Sequence, residues 1–142
     1  MENLLAFENV SLTYYTKTNE TLAIKDLSFT IKKGEFVFLV GPSGAGKSTL
    51  TKLLICEEKT NEGEVILNGT NLNELKKSKI PYLRRSIGMV FQDFRLLPNK
   101  TAYENVAYAM EIIGVKRKVI KETVPNVLAL VGLSGKENMY PH

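Results

Sequence analysis

Gly41-Pro42-Ser43-Gly44-Ala45-Gly46-Lys47-Ser48 fills the pattern G-x-x-x-x-G-K-[ST], and both flanks suit it. Before it runs Glu35-Phe36-Val37-Phe38-Leu39-Val40, a short apolar stretch rich in β-branched and aromatic residues, which predicts a buried strand. After it, Leu50, Leu53 and Leu54 fall at i, i+3 and i+4, the spacing of a helix packed on a sheet. Strand, glycine loop and helix come in the order a phosphate cradle requires. Glycines let the backbone curl so that successive N–H groups face phosphate oxygens, and the positive end of the helix dipole adds to the attraction. Lys47 can reach the β- and γ-phosphates, and the Ser48 hydroxyl can ligate Mg²⁺. The stretch implies a site for a nucleoside triphosphate.

The remaining composition fits that reading. At 142 residues the chain suffices for one compact domain, and 44% hydrophobic with 24% charged residues is a globular balance rather than a disordered one. No apolar run approaches a membrane span and no signal-peptide pattern opens the chain, so a cytoplasmic protein is expected. Cys56 is the single cysteine, which excludes an internal disulfide, and its place near Leu53 and Leu54 predicts a buried structural thiol. The net charge of +4 is mild. Basic residues cluster at Lys76, Lys77, Lys79, Arg84 and Arg85, and again at Lys116, Arg117, Lys118 and Lys121. These read as solvated helix faces, and no nucleic-acid partner is expected.

Outward from the loop, Leu4 to Val10 reads as a strand, followed by a loop from Thr13 to Glu20. A clearer alternation from Leu22 to Ile31 puts Leu27, Phe29 and Ile31 on one face. Short polar turns make this start antiparallel in character. Thr60 to Gly63 is a turn, Glu64 to Leu67 a strand, and Asn68-Gly69 a second turn. Pro81 starts or interrupts a short basic helix, and Ser86 to Phe91 predicts another buried strand. A helix is expected from Ala102 to Ile113, with Val106, Met110 and Ile113 at core spacing and Gly114 ending it. A last helix from Lys118 to Val131 contains Pro125, which should kink it or reset its start.

The phosphate loop, the Phe91-Gln92 pair after a strand, and Leu96-Leu97-Pro98-Asn99-Lys100-Thr101-Ala102-Tyr103-Glu104-Asn105-Val106 together resemble the nucleotide-binding domain of the ABC ATPases. Phe36 to Gly46, Ile80 to Arg85 and Phe91 to Pro98 are most similar to the cell-division branch of that family. The resemblance covers the whole chain. It implies an α/β P-loop NTPase fold with a mixed sheet, an antiparallel N-terminal β layer and covering helices. It assigns Tyr14 to stack on adenine, with Tyr15 the alternative, and Gly41 through Thr49 to the ATP phosphates, Thr49 through its hydroxyl. Ser48 and Gln92 are the Mg²⁺ residues, and Gln92 also helps place the attacking water.

The implied partners are an FtsX-type transmembrane subunit and a second copy of the ATPase, with the protein peripheral on the inner face of the cell membrane. A lipoprotein-release or MacB-like permease is the alternative partner. A nucleotide kinase is disfavoured by the Phe91-Gln92 and Asn105-Val106 motifs. Residues 1–142 match the N-terminal portion of one such domain, with the loop at 41–48 and the glutamine region at 91–106. The LSGGQ signature, the strand ending in Asp-Glu and the switch histidine are absent, since Leu133-Ser134-Gly135-Lys136 lacks the second glycine and glutamine and His142 is the only histidine. ATP binding without hydrolysis is the expectation for these 142 residues alone, a non-catalytic nucleotide module.

Overall fold

The computed structural model describes residues 2–142. The chain divides into two compact units, one ending at Ile87 and the other running from Gly88 to His142.

In the first unit, β1 (Asn3–Tyr15), β2 (Glu20–Lys32), β3 (Glu62–Leu67) and β4 (Thr70–Asn71) form one antiparallel sheet in the order β2-β1-β3-β4. Both long strands outrun the sequence expectation, β1 extending through Tyr15. The loose alternation of β1 has a structural cause. Phe7 pairs with Phe29 but Val10 with Leu27, so β1 carries one extra residue there; Leu12 then pairs with Ile24, and the extra residue lies on β2. Two β-bulges therefore keep Leu5, Phe7, Val10 and Leu12 on the core face across a break in the period-two pattern. Asn9 (φ 49°) and Asp26 (φ 44°) take the left-handed conformation at these bulges, and the Asn9 amide donates to Asp26 Oδ1 at 3.0 Å. Gly63 faces the first bulge so closely that any Cβ would collide with the Glu8 and Asn9 carbonyls. Asn68-Gly69, both at positive φ, close the β3–β4 hairpin as the turn signal predicts.

Helix α1 (Lys47–Leu54) lays Leu50 and Leu53 on the core made by Leu5, Phe7, Val10, Leu12, Ile24, Val65 and Leu72. Phe29 stacks on Phe7 at 4.7 Å. Cys56, just past α1, is partly buried against this core, and burial pushes its thiol up, outweighing the nearby Arg84 and Lys59 charges. Pro81 lies in the first turn of α2 (Ile80–Arg85). Arg84 is exposed with the rest of the basic run, as expected, and its Nε also donates to the Ile55 carbonyl at 2.8 Å, just past the end of α1.

Two expected strands do not form. Phe36 to Val40 and Gly88 to Val90 carry no backbone hydrogen bonds among the described residues, and Phe36, Phe38 and Val90 are 80% or more exposed. Sequence pattern specifies a strand's faces, but only a neighbouring strand supplies its ladder, and none of the described strands pairs with either segment.

In the second unit, α3 (Ala102–Ile112) packs on α4 (Arg117–Leu130) through Ala107, Ile120, Val124 and Leu128, with Val106 and Met110 at the margin. Ile113 is half exposed instead of core, because α3 ends one residue earlier and the chain turns at Gly114 (φ 79°). Helix α4 runs unbroken through Pro125, so the expected reset of its start does not occur. Thr101 and Glu104 form a reciprocal capping box at the start of α3, and the hydrogen bond from the Thr101 N–H holds the Glu104 carboxyl below its usual range. Leu133 to Lys136 is a polar turn after α4, as expected, with Gly132 and Gly135 at positive φ.

Candidate functional site: a phosphate loop and a glutamine loop

In the first unit the loop climbs from Gly41 into α1. Gly46 sits at φ 89°, and an added Cβ would lie 2.6 Å from the Ala23 carbonyl oxygen of β2. Glycine is required there twice over, by conformation and by contact. Gly44 (φ 82°) makes the preceding turn, and the Ala45 N–H donates to Pro42 O. The N–H groups of Ser43, Gly44, Gly46, Lys47 and Ser48 have no acceptor among the described residues, and α1 has no side-chain N-cap. Five consecutive-to-near donors at the positive end of a helix form a donor set suited to an anion rich in oxygens. Lys47 Nζ donates to the carbonyls of Gly41 at 2.6 Å and Pro42 at 2.7 Å, so the ammonium is drawn in over the loop instead of extending into solvent.

The Ser48 side chain is exposed and makes no hydrogen bond within the described residues, leaving a hydroxyl for a metal ion. No group of three His, Cys, Asp or Glu side chains occurs among those residues. A Mg²⁺ ion, which keeps waters and phosphate oxygens as most of its shell, needs no such cluster.

Tyr14 stands at the end of β1 with its hydroxyl 3.5 Å from Thr49 Oγ1, and Lys52 Nζ lies 5.9 Å from its ring centroid. Thr49 is buried at the first turn of α1. The fold thus brings Tyr14, Thr49 and the loop together. Tyr15, the next residue along a pleated strand, points the other way and is two-thirds exposed.

Gln92 belongs to the second unit. It opens an exposed turn, and its side chain makes no hydrogen bond among the described residues. Phe94 (72% exposed) and Leu96 (53%) project from the same loop, so they are not core beneath α3. The sequence reading gave no role to Asn105, whose amide bonds the Leu97, Lys100 and Thr101 backbone. An Asn in the first turn of a helix is a legible signal for such side chain to backbone bonding.

A phosphate loop of this geometry beside an antiparallel sheet, with a glutamine turn leading to a capped helix, defines an ATP-binding cassette. The chain belongs to the ABC transporter family, whose model matches residues 24–141. It is similar to the cell division ATP-binding protein FtsE of Streptococcus pneumoniae, with 51% identity over 87% of this chain and 54% of that protein. The Bacillus subtilis FtsE shares 48% identity over 90% of this chain and 56% of its own length. The chain spans a little over half the length of these curated relatives. Among solved structures it is similar to the dimeric ATP-binding cassette MJ0796 in a post-hydrolysis state bound to ADP and Pi. The TM-score there is 0.87 at 33% identity, covering 96% of this chain and 61% of that one. No helix among the described residues is long and apolar enough to cross a membrane.

Proposed function

We propose that this chain is the ATP-binding part of an FtsE/FtsX-type ABC complex acting in bacterial cell division. The observation that carries the nucleotide half is the set of five N–H groups, from Ser43 to Ser48, that have no acceptor among the described residues in the loop that Lys47 Nζ folds back onto. Phosphate oxygens accept from those donors while Lys47 exchanges a carbonyl contact for the β- and γ-phosphates. The Ser48 hydroxyl would hold a Mg²⁺ ion, which would supply positive charge against the phosphates, and Gln92 is the second residue the family resemblance assigns to the metal. Thr49 positions the α-phosphate, and Tyr14 supplies a π-face for adenine. Identities of 46–51% to FtsE proteins, against 41–45% to methionine import ATP-binding proteins, support the cell-division reading.

The membrane half rests on the loop after Gln92. Phe94, Leu96 and Leu97 form an apolar surface that a short cytoplasmic helix of an FtsX-type subunit can cover. The protein then works in the cytoplasm against the inner face of the membrane, paired with a second ATPase copy as in the dimeric cassettes.

Tyr14→Ala is expected to weaken ATP binding by about 1–3 kcal/mol while Tyr14→Phe is nearly silent. Fluorescent-nucleotide titration reads both, and a larger loss in Tyr15→Ala would move the stacking role one residue on.

Co-purification with candidate membrane subunits tests the assignment as a whole. FtsX capture that is lost in Phe94→Asp and Leu97→Asp, with nucleotide binding intact, is the expected result. Capture of a lipoprotein-release or MacB-like permease in place of FtsX would replace the subfamily reading. Phosphate release by the 142 residues alone is expected to match buffer, because no apolar strand ending in paired carboxylates follows Gln92 in the sequence. Turnover that disappears in Lys47→Ala would reveal a base outside that pattern.

A further inference from the structure

The exposed loop after Gln92 is braced by one side chain. Asn105 uses both ends of its amide on it: Oδ1 accepts the Leu97 N–H at 2.8 Å, and Nδ2 donates to the carbonyls of Leu97 at 3.1 Å, Lys100 at 3.0 Å and Thr101 at 3.0 Å. Among the described residues, the other backbone bond within Leu96 to Lys100 runs from the Lys100 N–H to Leu97 O. Upstream, Phe94 (φ 57°) and Arg95 (φ 47°) are consecutive non-glycine residues in the left-handed region, a conformation that persists only where its surroundings over-determine it. On the Gln92 side it is held by Phe94 N–H to Phe91 O, by Arg95 N–H to Asp93 O, and by the Arg95 guanidinium 3.8 Å over the Phe91 ring. On the other side the holding group is Asn105.

Burial cannot fix this loop, because Phe94 and Leu96 face outward. Polar bonds must do so, and asparagine is the short side chain that offers an acceptor and two donors together. We propose that Asn105 is the positioning residue of the docking loop. It clamps residues 97–101 to the first turn of α3, so that the strained pair at 94–95 presents Phe94 and Leu96 to the membrane subunit. This rests on the docking reading above.

Hydrogen exchange at the Leu97 amide, whose acceptor among the described residues is Asn105 Oδ1, reads the brace directly. Asn105→Ala is expected to speed that exchange about tenfold or more, the equivalent of one or two net hydrogen bonds. Exchange in α4 and nucleotide affinity should stay unchanged, while capture of the membrane subunit falls about as far. Thr101→Ala, which frays the cap of α3 but leaves the four Asn105 bonds, should leave Leu97 exchange and capture near wild type. Asn105→Asp keeps the acceptor for Leu97 and loses three donations; it should retain part of the protection and lose capture, and it decides the matter if the alanine variant unfolds. Unchanged Leu97 exchange in Asn105→Ala overturns the brace. Faster exchange with undiminished capture overturns its part in docking. A wild-type chain that captures no membrane subunit overturns the docking reading itself, while Leu97 exchange still decides whether Asn105 holds the loop.

Discussion

Lys47→Ala is expected to raise the dissociation constant for Mg·ATP by about thirtyfold to a thousandfold, the equivalent of roughly 2–4 kcal/mol. Two losses combine in that figure. The charge-assisted contact to the outer phosphates disappears, and so do the bonds from Nζ to Gly41 O and Pro42 O that close the first turn of the loop. Lys47→Arg separates the two, since it keeps the charge but not the compact ammonium geometry. Titration with a fluorescent ATP analogue measures all three proteins. An alanine variant that binds as the wild type does would remove Lys47 from the site.

Gly46→Ala is expected to be more damaging still, because it disrupts the fold as well as the ligand contacts. The new Cβ would meet the Ala23 carbonyl of β2 at 2.6 Å, in a backbone conformation (φ 89°) that L-residues rarely adopt. That neighbour is β2 backbone at an irregularity of the β1–β2 register, between Ile24 and Leu22, so relief of the clash means moving main chain and not a flexible side chain. Strain of about 1–3 kcal/mol for the dihedral, plus the cost of displacing either β2 or the start of α1, should lower the thermal midpoint and abolish measurable ATP binding together. Gly44→Ala offers a contrast: it also sits at positive φ but meets nothing within 4 Å, so it should weaken binding with a smaller effect on stability. Equal thermal midpoints for Gly46→Ala and wild type would show that α1 can detach from β2 without consequence.

The phosphate loop was the most legible part of the chain, because its chemistry is written in consecutive residues. Glycine, lysine and serine positions translate into backbone geometry with no tertiary information. The hairpin at Asn68-Gly69 was legible for the same reason. The bulges at Asn9 and Asp26 were not, since a bulge appears only when two strands are compared in register, and the single-strand pattern registers it as poor alternation.

The segments Phe36–Val40 and Ser86–Phe91 show the opposite failure. Their composition is that of strands covered on both faces, yet neither joins a ladder among the described residues; Phe36–Val40 is exposed throughout, and Ser86–Phe91 alternates between exposed and partly buried. Local sequence writes the faces of a strand; its neighbours are a tertiary fact. Such apolar surface is an aggregation hazard wherever it stays uncovered. At the second loop, Gln92 stood out by its place after an apolar run and before a proline motif. Asn105 lies within that motif, and its role depends on the chain turning back onto α3, which no local pattern encodes.

The claim on which the rest depends is that the start of α1 receives phosphate. Backbone amide spectra of the chain, recorded while Mg·ATP is added, test it most directly. The amides of Ser43, Gly44, Gly46, Lys47 and Ser48, which have no acceptor of their own, are expected to shift most and together, with Mg·AMP producing a much smaller response. Saturable shifts that spare those five amides, or no shifts at millimolar Mg·ATP, would contradict it.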